Sequence, residues 1–163
     1  MSKMSTLADA FYEELQDIYG AEKQLLRALP KMANRATSAE LKNAFEEHLE
    51  QTKAQVKRIE QAFEETGKSV KSKKCEAMTG LIKEAEEMMK EDMEDEVADA
   101  VLVGMEQKVE HYEIATYGTL CTWSKALGYS SAKKLLGQNL HEEETTDKLL
   151  TKLSIRVNAH ANA

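Results

Sequence analysis

The sequence predicts an all-α protein: an antiparallel four-helix bundle made of two hairpins and one long crossover that holds a short extra helix. Three observations lead there. Ala, Leu, Met, Glu, Lys and Gln dominate the 163 residues, and all of them favour helix. No stretch joins β-branched enrichment to period-two alternation and flanking turn residues, so no strand is expected. Four long stretches with helical apolar spacing are separated by two short breaks and one long polar link. The length fits a single domain over residues 1–163 with a core of its own.

The first helix, α1, is expected over about residues 6–34, with Pro30 kinking it or tightening its last turns. The segment ATSAEL then turns the chain, and Ser38 is a candidate N-cap for α2, about 38–66. Gly67 ends α2, and GKSVKSKK reads as a polar linker. A shorter helix, α3, follows over about 75–91, with Met78, Leu81, Ile82, Ala85, Met88 and Met89 along one side. Its methionines read as packing residues. α4 is expected over about 95–127, and LGYSS breaks the chain at Gly128. α5 covers about 131–157, and the tail NAHANA is expected to fray. Short loops make α1–α2 and α4–α5 antiparallel neighbours, and the long α2–α4 link can cross the bundle. That is the connectivity of a ferritin-like bundle.

Composition excludes some functions. A net charge of −7 argues against general nucleic-acid binding, which needs a basic footprint, and suits a protein that attracts cations. The N-terminal MSKMSTLADAF has no long apolar core, so no signal peptide is expected, and no run is long enough to span a membrane. Cys75 and Cys121 match no zinc or redox spacing and read as packing or capping residues. Two thiols without a disulfide framework point to a reducing compartment, the cytoplasm.

The informative polar residues are those that helical geometry turns inward. Each residue advances about 100° around a helix. On α1, Leu7, Phe11, Leu15, Ile18, Leu25 and Leu29 form an apolar stripe, and Glu22 falls inside it while Glu13 and Asp17 point away. On α2, His48 lies near the centre of the stripe made by Leu41, Phe45, Thr52, Ile59 and Phe63. On α5, Glu143 and Thr146 lie among Ala132, Leu135, Leu136, Leu150, Leu153 and Val157. Asp147 flanks that face and is a candidate to orient a ligand. α4 is apolar almost all round, and Glu106, Glu110, Glu113 and Tyr117 share one sector of it. His111 points about 100° away from Glu110.

Height agrees with direction. Glu22 and His48 lie about 13 residues either side of the first turn, and Glu113 and Glu143 about 15 either side of the second, each roughly 20 Å from its loop. Four helices therefore aim an acid or an imidazole at one level. Buried carboxylates must be neutralised by protons, bases or metal. Glutamates and a histidine from four facing helices are how bundles hold two iron or manganese ions. The bland expectations are that Glu106, Glu142 and Glu144 are solvated or ion-paired, that His111 makes an ion pair or interface contact, and that His48 is a satisfied core histidine donating to Thr52.

The stretches DIYGAEKQLLRALPKMA, HLEQT, KCEAMTGLI, QKVEHYEIATYGTL and LHEEETTD carry a more specific signal. Over residues 15–158 the chain resembles the YciE/YciF family of bacterial ferritin-like proteins, domain of unknown function 892. The resemblance implies a cytoplasmic homodimer associated with bacterial stress responses, with a di-iron or di-manganese site built from Glu22, His48, Glu110, Glu113 and Glu143. Two departures stand out. Ferritin-like sites carry ExxH on both α2 and α5, where this chain has Phe45-x-x-His48 and Glu143-x-x-Thr146, and the family pattern has a glutamate at Gln51. If the centre is active it handles oxygen or peroxide at the metals. The alternative is a non-enzymatic helical dimer whose polar core sets register or partner choice.

Overall fold

The structure is a computed structural model that describes residues 4–163. The first three residues of the segment examined for a signal peptide lie outside the described ones. Among the described residues there are five α-helices and no strand.

α1 spans Leu7–Arg35 and runs on through Pro30. It starts at a capping box in which the Thr6 side chain accepts the Asp9 N–H and the Asp9 carboxylate accepts the Thr6 N–H, both at 3.1 Å. Such a cap is worth about 1 kcal/mol. α2 spans Ala39–Ala62 behind Ser38, as expected, but its last turn tightens into a 3-10 turn, Phe63–Thr66. Gly67 then takes a left-handed φ of 65°, a conformation natural to glycine, and the helix ends.

α3 is shorter than expected, Glu76–Met88, and opens on Cys75, whose Sγ accepts the Met78 N–H at 3.3 Å. Cys75 is thus a capping residue. α4 spans Asp95–Leu127 and stops at Gly128, φ 74°. α5 spans Ser130–Ala161 and includes most of the tail expected to fray. The tail itself holds no glycine or proline, and Val157 just before it is still buried.

The long crossover is a geometric necessity. α2 returns to the end where α1 began, as shown by Tyr12 Oη donating to the Ser69 carbonyl at 2.9 Å. α4 sets out from the opposite end, where Asp99 accepts the Thr37 and Ser38 N–H groups at 2.8 and 2.7 Å. α2 and α4 therefore run the same way, and the strap 67–75 with α3 must carry the chain the length of the bundle. α3 does so alongside α1, with Thr79 bonded to Gln24 and Lys31 to Glu86. α5 then returns beside α2, and Glu65 accepts the Ser131 and Ala132 N–H groups at its start. Two carboxylates, Asp99 and Glu65, thus tie each hairpin turn to the other hairpin and fix the relative heights of the four long helices.

The apolar stripes predicted for α1 and α2 meet those of α4 and α5 in one core that includes Phe11, Leu15, Leu25, Phe45, Ile59 and Tyr117. Gly20 on α1 admits the strap, because a Cβ there would lie 1.7 Å from the Lys73 carbonyl oxygen. Gly80 on α3 faces open space. Replacing Gly20 with alanine should cost about 1–3 kcal/mol by overpacking against backbone. Gly80→Ala should instead add about 0.5–1 kcal/mol through helix propensity. Urea unfolding midpoints measure both, and a neutral Gly20→Ala would contradict the fixed strap.

Candidate metal centre

At mid-height the four long helices bring together six ionisable side chains. Glu22 from α1, His48 from α2, Glu106, Glu110 and Glu113 from α4, and Glu143 from α5 are each at most 1% exposed. α4 supplies three of them because positions 106, 110 and 113 stack one above the other on a helix. His48 Nδ1 is hydrogen-bonded to Glu106 and lies 3.1 Å from Glu110 Oε1. Its Nε2 lies 3.5 Å from Glu143 Oε2 and 3.9 Å from Glu113 Oε2. One ligand atom from each of His48, Glu110, Glu113 and Glu143 falls within 4.8 Å of all the others, close enough to share a metal ion.

A ring of hydrogen-bonding groups holds the cluster in place. Tyr117 Oη donates to Glu22 Oε1. Gln55 Nε2 donates to Glu143 Oε1 and, at 3.0 Å, to Glu142 Oε2. Arg58 clamps the Glu142 carboxylate with two bonds of 2.8 Å. These contacts satisfy one side of the cluster and leave the other bare. With the carboxylates ionised, Glu22 Oε2, Glu106 Oε2, Glu143 Oε2 and both oxygens of Glu110 and of Glu113 are buried with no donor that pairs with them, and His48 Nε2 is likewise unpaired. Buried polar groups are ordinarily paired, so eight orphaned atoms in one place are what a cation would satisfy. The donor set, carboxylate oxygens and one imidazole, suits iron or manganese.

Glu106 corrects the sequence reading. It was expected to be solvated or ion-paired; it is not solvated but buried, and it pairs with His48. By accepting from Nδ1 it orients the ring so that Nε2 faces Glu113 and Glu143, as groups behind metal-binding histidines commonly do. The expected His48–Thr52 bond does not form through the ring; Thr52 Oγ1 donates to the His48 carbonyl at 2.8 Å. Asp147 is placed away from the cluster, 3.1 Å from His111 Nε2, on a face where that histidine is 68% exposed. His111 thus contacts Asp147 and not the cluster, and takes no ligand position. Glu142 pairs with Arg58, as expected. Gln51 accepts from Thr146 at 3.2 Å. Gln55 was missed altogether. Its spacing, seven after His48, was the available signal, but an amide carries no charge to draw attention.

Burial dominates the proton balance. It pushes the Glu22 carboxyl up to about 7, with the Glu143 charge adding to the effect against hydrogen bonding from Glu113 and Tyr117. Burial likewise holds Glu110 and Glu113 well above the usual carboxylate range, helped by neighbouring carboxylates. For His48 burial acts downwards, but the Glu106 charge and hydrogen bond outweigh it and hold the imidazole well above its ordinary 6.5. Burial would also raise Glu143; a protonated Glu110 beside it, with His48 and Gln55, instead holds it below the ordinary value. Glu143 thus stays ionised beside the protonated Glu110.

Fold and site together define a class: a ferritin-like four-helix bundle with a buried glutamate–histidine cluster able to bind metal. The family model described as Domain of unknown function (DUF892) matches residues 6–162, and the chain belongs to that family. It is 50% identical to Protein YciF of Escherichia coli K12 over 153 residues, 93% of this chain and 92% of that one. The crystal structure of the E. coli stress protein YciF matches with a TM-score of 0.92, at 48% identity over 96% of this chain and 99% of that one. YcfI of Rhodopseudomonas palustris matches with a TM-score of 0.89, at 41% identity over 91% and 95% of the two chains. An Anabaena variabilis protein with DJ-1/ThiJ/PfpI-like and ferritin-like domains aligns with a TM-score of 0.61 and 18% identity, over 98% of this chain and 39% of that one. That last likeness concerns the fold alone. Among the described residues no helix is long and apolar enough to cross a membrane.

The raised groups set a pH dependence for the metal-free protein. Unfolded glutamates lose protons near 4.5 and unfolded histidine near 6.5, before Glu22, Glu110, Glu113 and His48 do so in the fold. Their stabilisation is complete below those values and is lost as the pH rises through about 7 and beyond. Glu143 acts oppositely, and its contribution is lost as the pH falls below 4.5. The melting temperature of chelator-treated protein, followed by circular dichroism, should therefore fall between about pH 5 and about pH 8. A rise over that interval would contradict the proton placement.

Proposed function

We propose that this protein is a ferritin-like metal-binding protein with a dinuclear iron or manganese centre in the bundle core, acting as a cytoplasmic homodimer in bacterial stress defence. The observation that carries the reading is the set of eight orphaned atoms facing one another at mid-height. Charge favours two ions over one. Five buried carboxylates carry five negative charges when ionised; one divalent ion leaves three uncompensated and two leave one. His48 Nε2, Glu110, Glu113 and Glu143 would hold the first ion. Glu22, whose carboxyl lies beside that of Glu113, would extend the set to a second. The stress role rests on the likeness to E. coli YciF, which is named a stress protein.

Bound metal would supply Lewis acidity and redox chemistry towards oxygen or peroxide. The chain's own contribution is positional. Glu106 holds the tautomer of His48, Tyr117 holds Glu22, and Gln55 holds Glu143. The apolar residues around them exclude bulk water. Binding must displace the protons held by Glu22, Glu110, Glu113 and His48, so it releases acid and tightens as the pH rises.

A second reading treats the cluster as a structural polar core in a non-enzymatic helical dimer, in keeping with the description of YcfI as a candidate structural protein. The bonds from Tyr117 and Gln55 favour it. The eight unpaired atoms count against it.

Anaerobic loading with Fe(II) or Mn(II), desalting and elemental analysis distinguish the two. The native chain should retain about two equivalents. The isosteric double variant Glu22→Gln/Glu113→Gln, which keeps the volume of the core, should retain less than about a tenth of an equivalent. A native protein that retains no more than the variant would end the metal reading.

A further inference from the structure

The strap between α2 and α3 is the most basic segment of an acidic chain. Residues 68–74, KSVKSKK, hold four lysines and no acid, against a net charge of −7 for the whole. The fold fixes this segment in place. The Ser69 carbonyl accepts from Tyr12 at 2.9 Å, the Lys73 N–H donates to the Gln16 carbonyl at 3.1 Å, and Gln24 Nε2 donates to the Cys75 carbonyl at 3.0 Å. The missing Cβ of Gly20 lets the Lys73 carbonyl lie directly on α1. Opposite the strap α1 presents Lys23 and Arg27, which are i,i+4 neighbours on one face.

Between strap and helix is an open cleft of about 480 Å³. Four cations line it, Lys23, Arg27, Lys73 and Lys74, together with the polar side chains of Gln24, Ser72 and Thr79, and no acid does. Two of the cations are compensated from outside the cleft: Lys73 pairs with Glu13 at 2.6 Å and Lys74 with Glu76 at 3.0 Å. The other two are not. Lys23 Nζ lies 4.1 Å from the centre of the Tyr19 ring, which steadies the ammonium without neutralising it. Arg27 makes no ion pair among the described residues, and it also borders a neighbouring cleft of about 120 Å³.

Like charges held together by a rigid backbone repel one another, and an anion relieves that repulsion. A guanidinium fork beside lysine ammoniums and hydroxyls matches the oxygens of a phosphate group, whereas a single carboxylate would leave most of these donors unused. The volume lies in the range of small-molecule sites. Because the strap is already ordered, a ligand need not bear the cost of ordering it.

We propose that this cleft binds a phosphate group, either free phosphate or the phosphate of a small metabolite such as a nucleoside diphosphate. The site lies outside the glutamate–histidine cluster and does not depend on metal there.

Isothermal titration of chelator-treated protein in a phosphate-free buffer at constant ionic strength tests it, with inorganic phosphate, a nucleoside diphosphate and the unphosphorylated nucleoside as titrants. Phosphate-bearing titrants should bind and the nucleoside should not. Lys23→Gln/Arg27→Gln should weaken binding at least about tenfold, with the circular dichroism spectrum unchanged. Lys148→Gln on α5, which is exposed and outside the cleft, should leave binding as it is. Tighter binding of the diphosphate than of phosphate identifies a metabolite, and equal affinity identifies free phosphate. No binding of either, or equal binding by the double variant, overturns the proposal, as does binding of a single-stranded oligonucleotide alone.

Discussion

A carboxylate in an apolar core is destabilising by several kcal/mol unless something neutralises it, and this bundle buries five of them around one imidazole. That constraint governs the middle of the molecule. The cluster draws on all four long helices, so no hairpin can hold it alone, and a shift of one helix by a turn would move its carboxylate about 5.4 Å out of register. The hydrogen bonds from Tyr117, Gln55 and Glu106 hold the side chains where they are. They do not remove the charge. Protons offset most of it in the metal-free protein, and two divalent ions would offset all but one charge in the loaded one.

Much of the remaining structure keeps those helices at fixed heights. Asp99 on α4 accepts from the α1–α2 turn, and Glu65 at the end of α2 accepts from the start of α5. Each turn is therefore locked to the opposite hairpin rather than to its own. α3 lies along α1 and α4, and Met78 and Ala85 bury its inner side. The crossover that the topology demands thus also covers one flank of the bundle, and its basic strap gives α1 a second, cationic surface.

The sequence revealed those features that obey helical periodicity. Glu22, His48 and Glu143 were legible because each interrupts an apolar stripe, and counting from the turns placed them and Glu113 at one height. Glu106 occupied the same sector of α4 as Glu110 and Glu113, but α4 is apolar nearly all round and gives no stripe against which to judge one acid. Gln55, Asp99 and Glu65 were not legible, because their roles arise from contacts between distant segments. The ends of α2 and α3 were misplaced by a few residues because a tightened 3-10 turn and a terminated helix share the same residue types. The extension of α5 through its tail reflects the absence of any helix breaker there, a signal that the polar composition masked.

The central claim is that the orphaned atoms of the cluster are ligands. Anomalous diffraction at the iron edge, from crystals grown after anaerobic loading with Fe(II), tests it most directly. The account predicts peaks inside the bundle, one bounded by His48 Nε2, Glu110, Glu113 and Glu143 and a second on the Glu22 side of Glu113. Iron found only at surface carboxylates, with the interior of a fully loaded crystal free of any peak, would contradict it.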